Sequence, residues 1–198
     1  MASEADVVNA GPRDHVVVFY EDDRELAGRV TAYLLDAVRD GTAIVVATAA
    51  HRLSFAERLE RAGVDLAAAR RAGSYLELDA GETMRGFLIG DWPDPGGFWQ
   101  VISPLIQQAA RRGGKPVRIF GEMVALLWDA GLPEAAVELE VLWNELGRQH
   151  SFSLLCAYLA ESVSGEHRLD ALTEVCAAHV AVAGLPSDPG AAAVRPGR

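Results

Sequence analysis

The sequence predicts an α/β fold, a three-layer sandwich with a mainly parallel central sheet. Short apolar runs at 15–20, 42–48, 74–78, 117–120 and 152–157 alternate with segments whose apolar residues recur at helical spacing. The runs are apolar throughout, as in strands covered on both faces, rather than alternating as in half-exposed ones. The length, 198 residues with 50% hydrophobic content, suits one domain with a sizeable core.

The elements follow in order. Residues 1–13 are polar and end in Gly11-Pro12, which predicts a flexible leader before a single domain over 14–180. After the first strand, Asp22 or Asp23 can cap a helix carrying Leu26, Val30, Tyr33, Leu34, Ala37 and Val38 on one face, stopped by Gly41. The second strand leads to a helix expected over 53–62, stopped by Gly63, and a short helical piece near 66–71. The third strand ends near Asp79, and Gly81-Glu82-Thr83 opens a short helix. Residues 90–97, rich in glycine and proline, read as a loop. Phe98, Val101, Ile102, Leu105 and Ala109 mark a helix that Pro104 must either begin or kink. The fourth strand turns at Gly121-Glu122 into a helix with Met123, Leu126 and Leu127. Pro133 starts the next, with Leu139, Leu142, Trp143 and Leu146 along one face. A fifth strand and a last helix over 166–178 complete the body. The segment 184–198, with three prolines and few large apolar residues, is expected to be disordered.

Composition excludes several classes. A formal net charge of -10 and the lack of any basic block argue against a nucleic-acid surface. No apolar run approaches the roughly 20 residues that span a bilayer, and the N-terminus has no signal pattern. A cytoplasmic protein without membrane contact is the expectation. Cys156 and Cys176 show no C-x-x-C spacing and lie in apolar stretches, which reads as reduced core thiols. G-x-S-x-G, H-E-x-x-H and Cys-rich metal patterns are absent, so no catalytic residue, metal or cofactor is assigned.

The first strand-to-helix turn is the most informative stretch. A phosphate cradle there needs glycines, a lysine and a hydroxyl. Glu21, Asp22 and Asp23 stand in their place and would repel a triphosphate.

Beyond these readings, several runs resemble a known family. They are 15–21, Thr48-Ala49-Ala50-His51-Arg52, the segment 117–128 with Gly121-Glu122-Met123 and Trp128, Leu139-Glu140 with Leu142-Trp143-Asn144, and 153–158. Together they resemble the MEDS sensory domain of methanogen and methylotroph sensory proteins, over about residues 14–160. The resemblance implies a degenerate relative of RecA/KaiC-like P-loop ATPases, without a functional P-loop. It also implies a role in sensing small molecules such as simple hydrocarbon derivatives. No kinase core or helix-turn-helix follows residue 160, which matches the stand-alone form. The partners implied are signalling proteins such as histidine kinases or anti-sigma-type regulators. Acidic residues after the second strand, needed by a working KaiC-type ATPase, are replaced by Ala49, Ala50 and His51.

In parallel sheets ligands bind at the carboxyl ends of strands. Tyr20, Glu21, His51, Glu122, Met123 and Tyr158 are therefore the candidate ligand-binding residues. Glu122 also reads as a helix N-terminal carboxylate, and His51 as a cap of the helix it precedes. His15 lies at the opposite end and reads as structural. Cys156 reads as an inert packed thiol, Trp128 and Trp143 as core anchors, and Glu138, Glu140 and Glu145 as a solvated face. The expected function is a non-enzymatic sensory or regulatory domain that binds a small ligand, a signalling partner or both. A residual nucleotide-binding enzyme and a pocketless interaction scaffold are the alternatives. Homo-oligomerisation is compatible with the sequence and not set by it.

Overall fold

Six parallel strands form the central sheet of the computed structural model, in the order β3-β2-β6-β7-β1-β8. The structure describes Val7 and residues 9–111, 116–164 and 168–185. In chain order the strands are β1 His15–Tyr20, β2 Thr42–Ala47, β3 Tyr75–Asp79, β6 Val117–Gly121, β7 Ser153–Leu159 and β8 Ala181–Ala183. The helices are α1 Asp23–Asp40, α2 Ala49–Arg61, α3 Leu66–Ala72, α4 Ala80–Arg85, α5 Pro95–Ala110, α6 Met123–Asp129, α7 Pro133–Gln149 and α8 Leu169–Ala178. A two-stranded hairpin, β4 Leu88–Ile89 with β5 Trp92–Pro93, precedes α5.

The sheet divides the core into two layers. On one face Val16, Val18, Tyr20, Val45 and Phe120 pack with α1, α2 and α3. On the other, Val17, Phe19, Ile44, Cys156 and Tyr158 pack with α4 to α8. Successive strand residues point to opposite faces, so both layers draw on every central strand, which is why the runs are apolar throughout.

The expected three-layer sandwich is present. Its boundaries differ where tertiary contacts act. α2 starts at Ala49, four residues before the expected position, directly behind Thr48. Within the stretch read as a loop, Asp94 accepts from the N–H of Gly97 and starts α5 at Pro95, so Pro104 lies inside that helix. β8, a sixth strand absent from the sequence reading, is three residues long. It follows the backbone bond from the N–H of Val180 to the carbonyl of His15, 2.9 Å. Val7 and Ala10, inside the segment read as a flexible leader, are buried in the α1 layer, so that part is packed. Leu185 packs on the other core layer, and residues 186–198 of the expected disordered tail lie outside the described residues.

Candidate functional site

At the carboxyl end of β1, Asp22 caps α1 by accepting from the N–H of Glu25 at 2.8 Å. Glu25 reaches back to the N–H of Glu21, 2.8 Å. The N–H groups that would greet a phosphate are thus engaged by carboxylates. Asp23 turns towards α2, with Oδ1 3.3 Å from Nε2 of His51.

His51 is the third residue of α2, inside the helix rather than before it. Its Nδ1 lies 2.7 Å from Oε1 of Glu122, which follows β6. Glu122 also accepts from the N–H of Thr48 at 2.7 Å and from its hydroxyl at 3.3 Å. One carboxylate therefore ties the end of β6 to the start of α2. The hydrogen bond that His51 donates to Glu122 raises its pKa; burial opposes it, and the charges of Glu122 and Asp23 add to the rise. Tyr20 is buried beside this group, and burial followed by the Glu122 charge raises its phenol.

The sign of the pH effect follows. His51 has a folded-state pKa above its ordinary value of 6.5, so its stabilisation is complete below that value. It is lost as pH rises through the folded pKa. Glu122→Gln should cost about 1–3 kcal/mol, more at pH 6 than at pH 9, and lower the His51 titration midpoint seen by NMR. A wild-type midpoint at or below 6.5 would contradict the raised pKa.

The structure separates the six candidate residues. Tyr20, His51 and Glu122 meet on the α1–α2 face, whereas Glu21 is exposed. Met123 and Tyr158 are fully buried on the opposite face. The Tyr158 hydroxyl donates to Oε1 of Glu140 at 2.8 Å.

Glu140 corrects the sequence reading. It is 0% exposed, although Glu138 is half-buried and Glu145 exposed as a solvated face requires. Its Oε2 faces Sγ of Cys156 at 3.3 Å, Nε2 of His15 at 3.2 Å and Nε2 of His179 at 3.6 Å. Cys156 is therefore not packed among apolar groups alone, and burial followed by the Glu140 charge raises its thiol well above the ordinary value. Burial pushes His179 down to about 4, so this imidazole is neutral near pH 7. Burial alone would raise Glu140, but His179, His15 and Tyr158 hold it below the usual carboxylate range. Because His179 is neutral near pH 7, the hydrogen bond donated by Tyr158 acts there, and a protonated His15 would add to it.

A cavity of about 450 Å³ opens beside this cluster, at the amino ends of β1 and β7. His15, Asn144, Trp143 and Phe152 line it, with Arg13 and Arg148 among its charged residues. The buried indole N–H of Trp143 has no hydrogen-bond partner among the described residues. A second cavity of about 500 Å³ lies at the carboxyl end of β3, between Arg52, Asp79 and Glu82. Neither of these two cavities is lined by any of the six candidates.

A family model described as the methanogen/methylotroph, DcmR sensory domain (MEDS) matches residues 14–179. The chain belongs to the MEDS family. No curated protein matched it. The family match extends past the resemblance over 14–160 to include α8 and His179.

In this MEDS domain the Gly121-Glu122-Met123 motif works as a junction. Gly121 ends β6, the Glu122 carboxylate bonds to the start of α2, and Met123 enters the other core layer. Trp128 and Trp143 are core anchors, as the sequence suggested. The sequence reading missed Glu140 and His179. Glu140 follows Ala136 by four residues and precedes Trp143 by three, so helical spacing places it on the buried face of α7. His179 ends the last helix without a partner in sequence, and only β8 pairing brings it beside His15.

Proposed function

We propose that this MEDS domain is a non-enzymatic sensor that binds a small ligand in the amino-end cavity, over the His15–Asn144 pair. The observation that carries this reading is the cavity itself. It is concave and part aromatic and part polar, lined by Trp143 and Phe152 as well as His15 and Asn144. The carboxyl-end set of Tyr20, Glu21, His51 and Glu122 is the competing location. Its central carboxylate already holds Thr48 and His51 on its two oxygens. Ligand binding would favour one arrangement of α7 and α8 around the cavity, which a signalling protein then reads. Such a partner, a histidine kinase or an anti-sigma-type regulator, is implied by family resemblance. No helix among the described residues is long and apolar enough to cross a membrane.

The test is a melting experiment with a panel of one- to three-carbon alcohols, amines and halides. A ligand at a hundred times its dissociation constant adds about 2.7 kcal/mol, which raises the midpoint by roughly 5–10 °C. Gly147→Leu should abolish that rise while leaving the unliganded midpoint equal or higher. Gly147 lines the cavity, and a Cβ there meets only Phe152 Cζ at 3.9 Å. An added Cβ therefore meets no backbone outside its own helix, the rest of the side chain is directed to fill the cavity, and leucine favours helix by about 1 kcal/mol over glycine. Tyr20→Ala should leave the ligand-induced rise intact. If Tyr20→Ala abolishes the rise and Gly147→Leu does not, the ligand site is at the carboxyl end.

Magnesium–ATP should give no rise, because Glu21, Asp22 and Asp23 occupy the phosphate position. A clear shift at millimolar ATP would favour the residual nucleotide-binding reading.

A further inference from the structure

We propose that His15, Glu140, Cys156 and His179 form a binding site for one zinc-type divalent transition-metal ion. The four come from different elements: the start of β1, the middle of α7, β7 and the end of α8. Their ligating atoms all lie within 4.8 Å of one another, and all four residues are buried. The separations are 3.2 Å for His15 Nε2 to Glu140 Oε2 and 3.3 Å from Cys156 Sγ to each of those two atoms. His179 Nε2 stands 3.6 Å from Glu140 Oε2. A tetrahedral ion with bonds of about 2.0–2.3 Å has ligand atoms roughly 3.3–3.7 Å apart, close to these four separations, and the other two, from His179 to His15 and Cys156, are within 4.8 Å.

The surrounding hydrogen bonds orient each donor inward. The Asn144 amide nitrogen donates to the carbonyl of Ala178 at 2.9 Å, which leaves its Oδ1 facing His15. Nδ1 of His15, 3.0 Å away, must then carry the proton, so the neutral ring turns the lone pair of Nε2 to the cluster. The carbonyl of Val175 can only accept, so Nδ1 of His179, 2.6 Å away, also carries its proton and leaves Nε2 as an acceptor. Tyr158 holds Oε1 of Glu140, and Oε2 faces inward. Imidazoles fixed by outer carbonyl or amide oxygens are the usual support of metal ligands.

Without an ion this set of groups is short of protons. Three acceptors, two imidazole nitrogens and a carboxylate oxygen, converge on a single thiol hydrogen. A protonated His15 could serve Glu140 as well, but Nε2 of His179, buried with a side chain 0% exposed, still has no hydrogen-bond partner among the described residues. A divalent cation satisfies all four atoms at once. Binding releases the Cys156 thiol proton, and the thiolate and carboxylate then neutralise the ion's charge inside the protein. Two imidazoles, a thiolate and a carboxylate suit zinc or cobalt better than magnesium or calcium, which favour all-oxygen sites. The amino-end cavity reaches His15 and Asn144, which supplies a route of entry. The ion would fasten the α8–β8 segment to the sheet, because His179 joins those two elements.

The experiment is a cobalt(II) titration of the full chain after chelator treatment, followed by competition with zinc(II). The expected result is one equivalent bound, with a thiolate-to-cobalt charge-transfer band and the intense visible bands of a tetrahedral ion, displaced by zinc. Cys156→Ser should remove the sulfur band. Asn144→Ala, which keeps all four ligands, should weaken zinc binding by about 10–100-fold. If the metal-free chain unfolds, refolding on one equivalent of zinc supports the site. Failure of either metal to bind overturns it, as does binding without a sulfur band in the wild-type chain. The wild-type spectrum decides even if Cys156→Ser does not fold.

Discussion

Trp128→Ala should destabilise the protein by about 3–5 kcal/mol, the cost of emptying a fully buried tryptophan site. Trp128 lies at the end of α6, 0% exposed, and its indole N–H donates to the carbonyl of Ser162 at 2.9 Å. Its ring meets Tyr158 edge-on with centroids 5.5 Å apart, and the guanidinium of Arg168 sits 5.8 Å from its centroid. Alanine would leave a void between α6 and β7 and remove one of two donors to the Ser162 carbonyl, leaving Arg168 Nη1 at 2.8 Å. For a chain of this size the loss corresponds to a fall in melting midpoint of roughly 6–20 °C. Trp128→Phe keeps most of the ring and loses the hydrogen bond, so it should cost less than the alanine change. Urea denaturation of both variants gives the comparison. A cost below about 1 kcal/mol for Trp128→Ala would mean that the site collapses freely, against the packing described.

Gly41→Ala should cost about 3 kcal/mol, at the upper end of what one added methyl does in a packed site. The reason is contact, at a glycine whose φ of -142° is negative. A Cβ there would run into the carbonyl oxygen of Pro116, with Pro116 Cγ at 3.1 Å behind it. That carbonyl cannot withdraw easily, because it accepts from the N–H of Thr42 at 2.9 Å and starts the pairing of β2 with β6. Moving it would disturb the Thr42–Val117 register in the middle of the sheet. Gly63→Ala is the contrast: φ is +85°, and nothing lies within 4 Å of an added Cβ. Only the left-handed strain of about 1–2 kcal/mol applies there. Equal losses at the two positions in denaturant melts would refute the steric account of Gly41.

Much of the fold was readable because the physics that sets it is local. β1, β2, β6 and β7 are buried on both faces, so each appears as a continuous apolar run that needs no knowledge of its neighbours. Gly41 and Gly63 mark the helix ends, and Pro133 marks the start of α7. The acidic first turn was equally plain, because a missing phosphate cradle is a matter of residue types at adjacent positions.

Other features depend on distant partners. The start of α2 at Ala49 goes with the bond from the Thr48 N–H to Glu122, 74 residues away. β8 is an Ala-Val-Ala strand too short to signal itself, and it exists through pairing with β1. The division of Tyr20, His51 and Glu122 from Met123 and Tyr158 follows from which face of the sheet each side chain takes. The sequence by itself determined the layers, the parallel sheet and the acidic first turn, through burial patterns and turn chemistry that act within a few residues. Only the tertiary structure decided that His15, Glu140, Cys156 and His179 meet. The β1–β7 register pairs Val17 with Cys156, α7 turns Glu140 inward, and β8 draws His179 against His15. Residues so far apart in sequence are brought together by packing and strand pairing, which leave no local pattern to read.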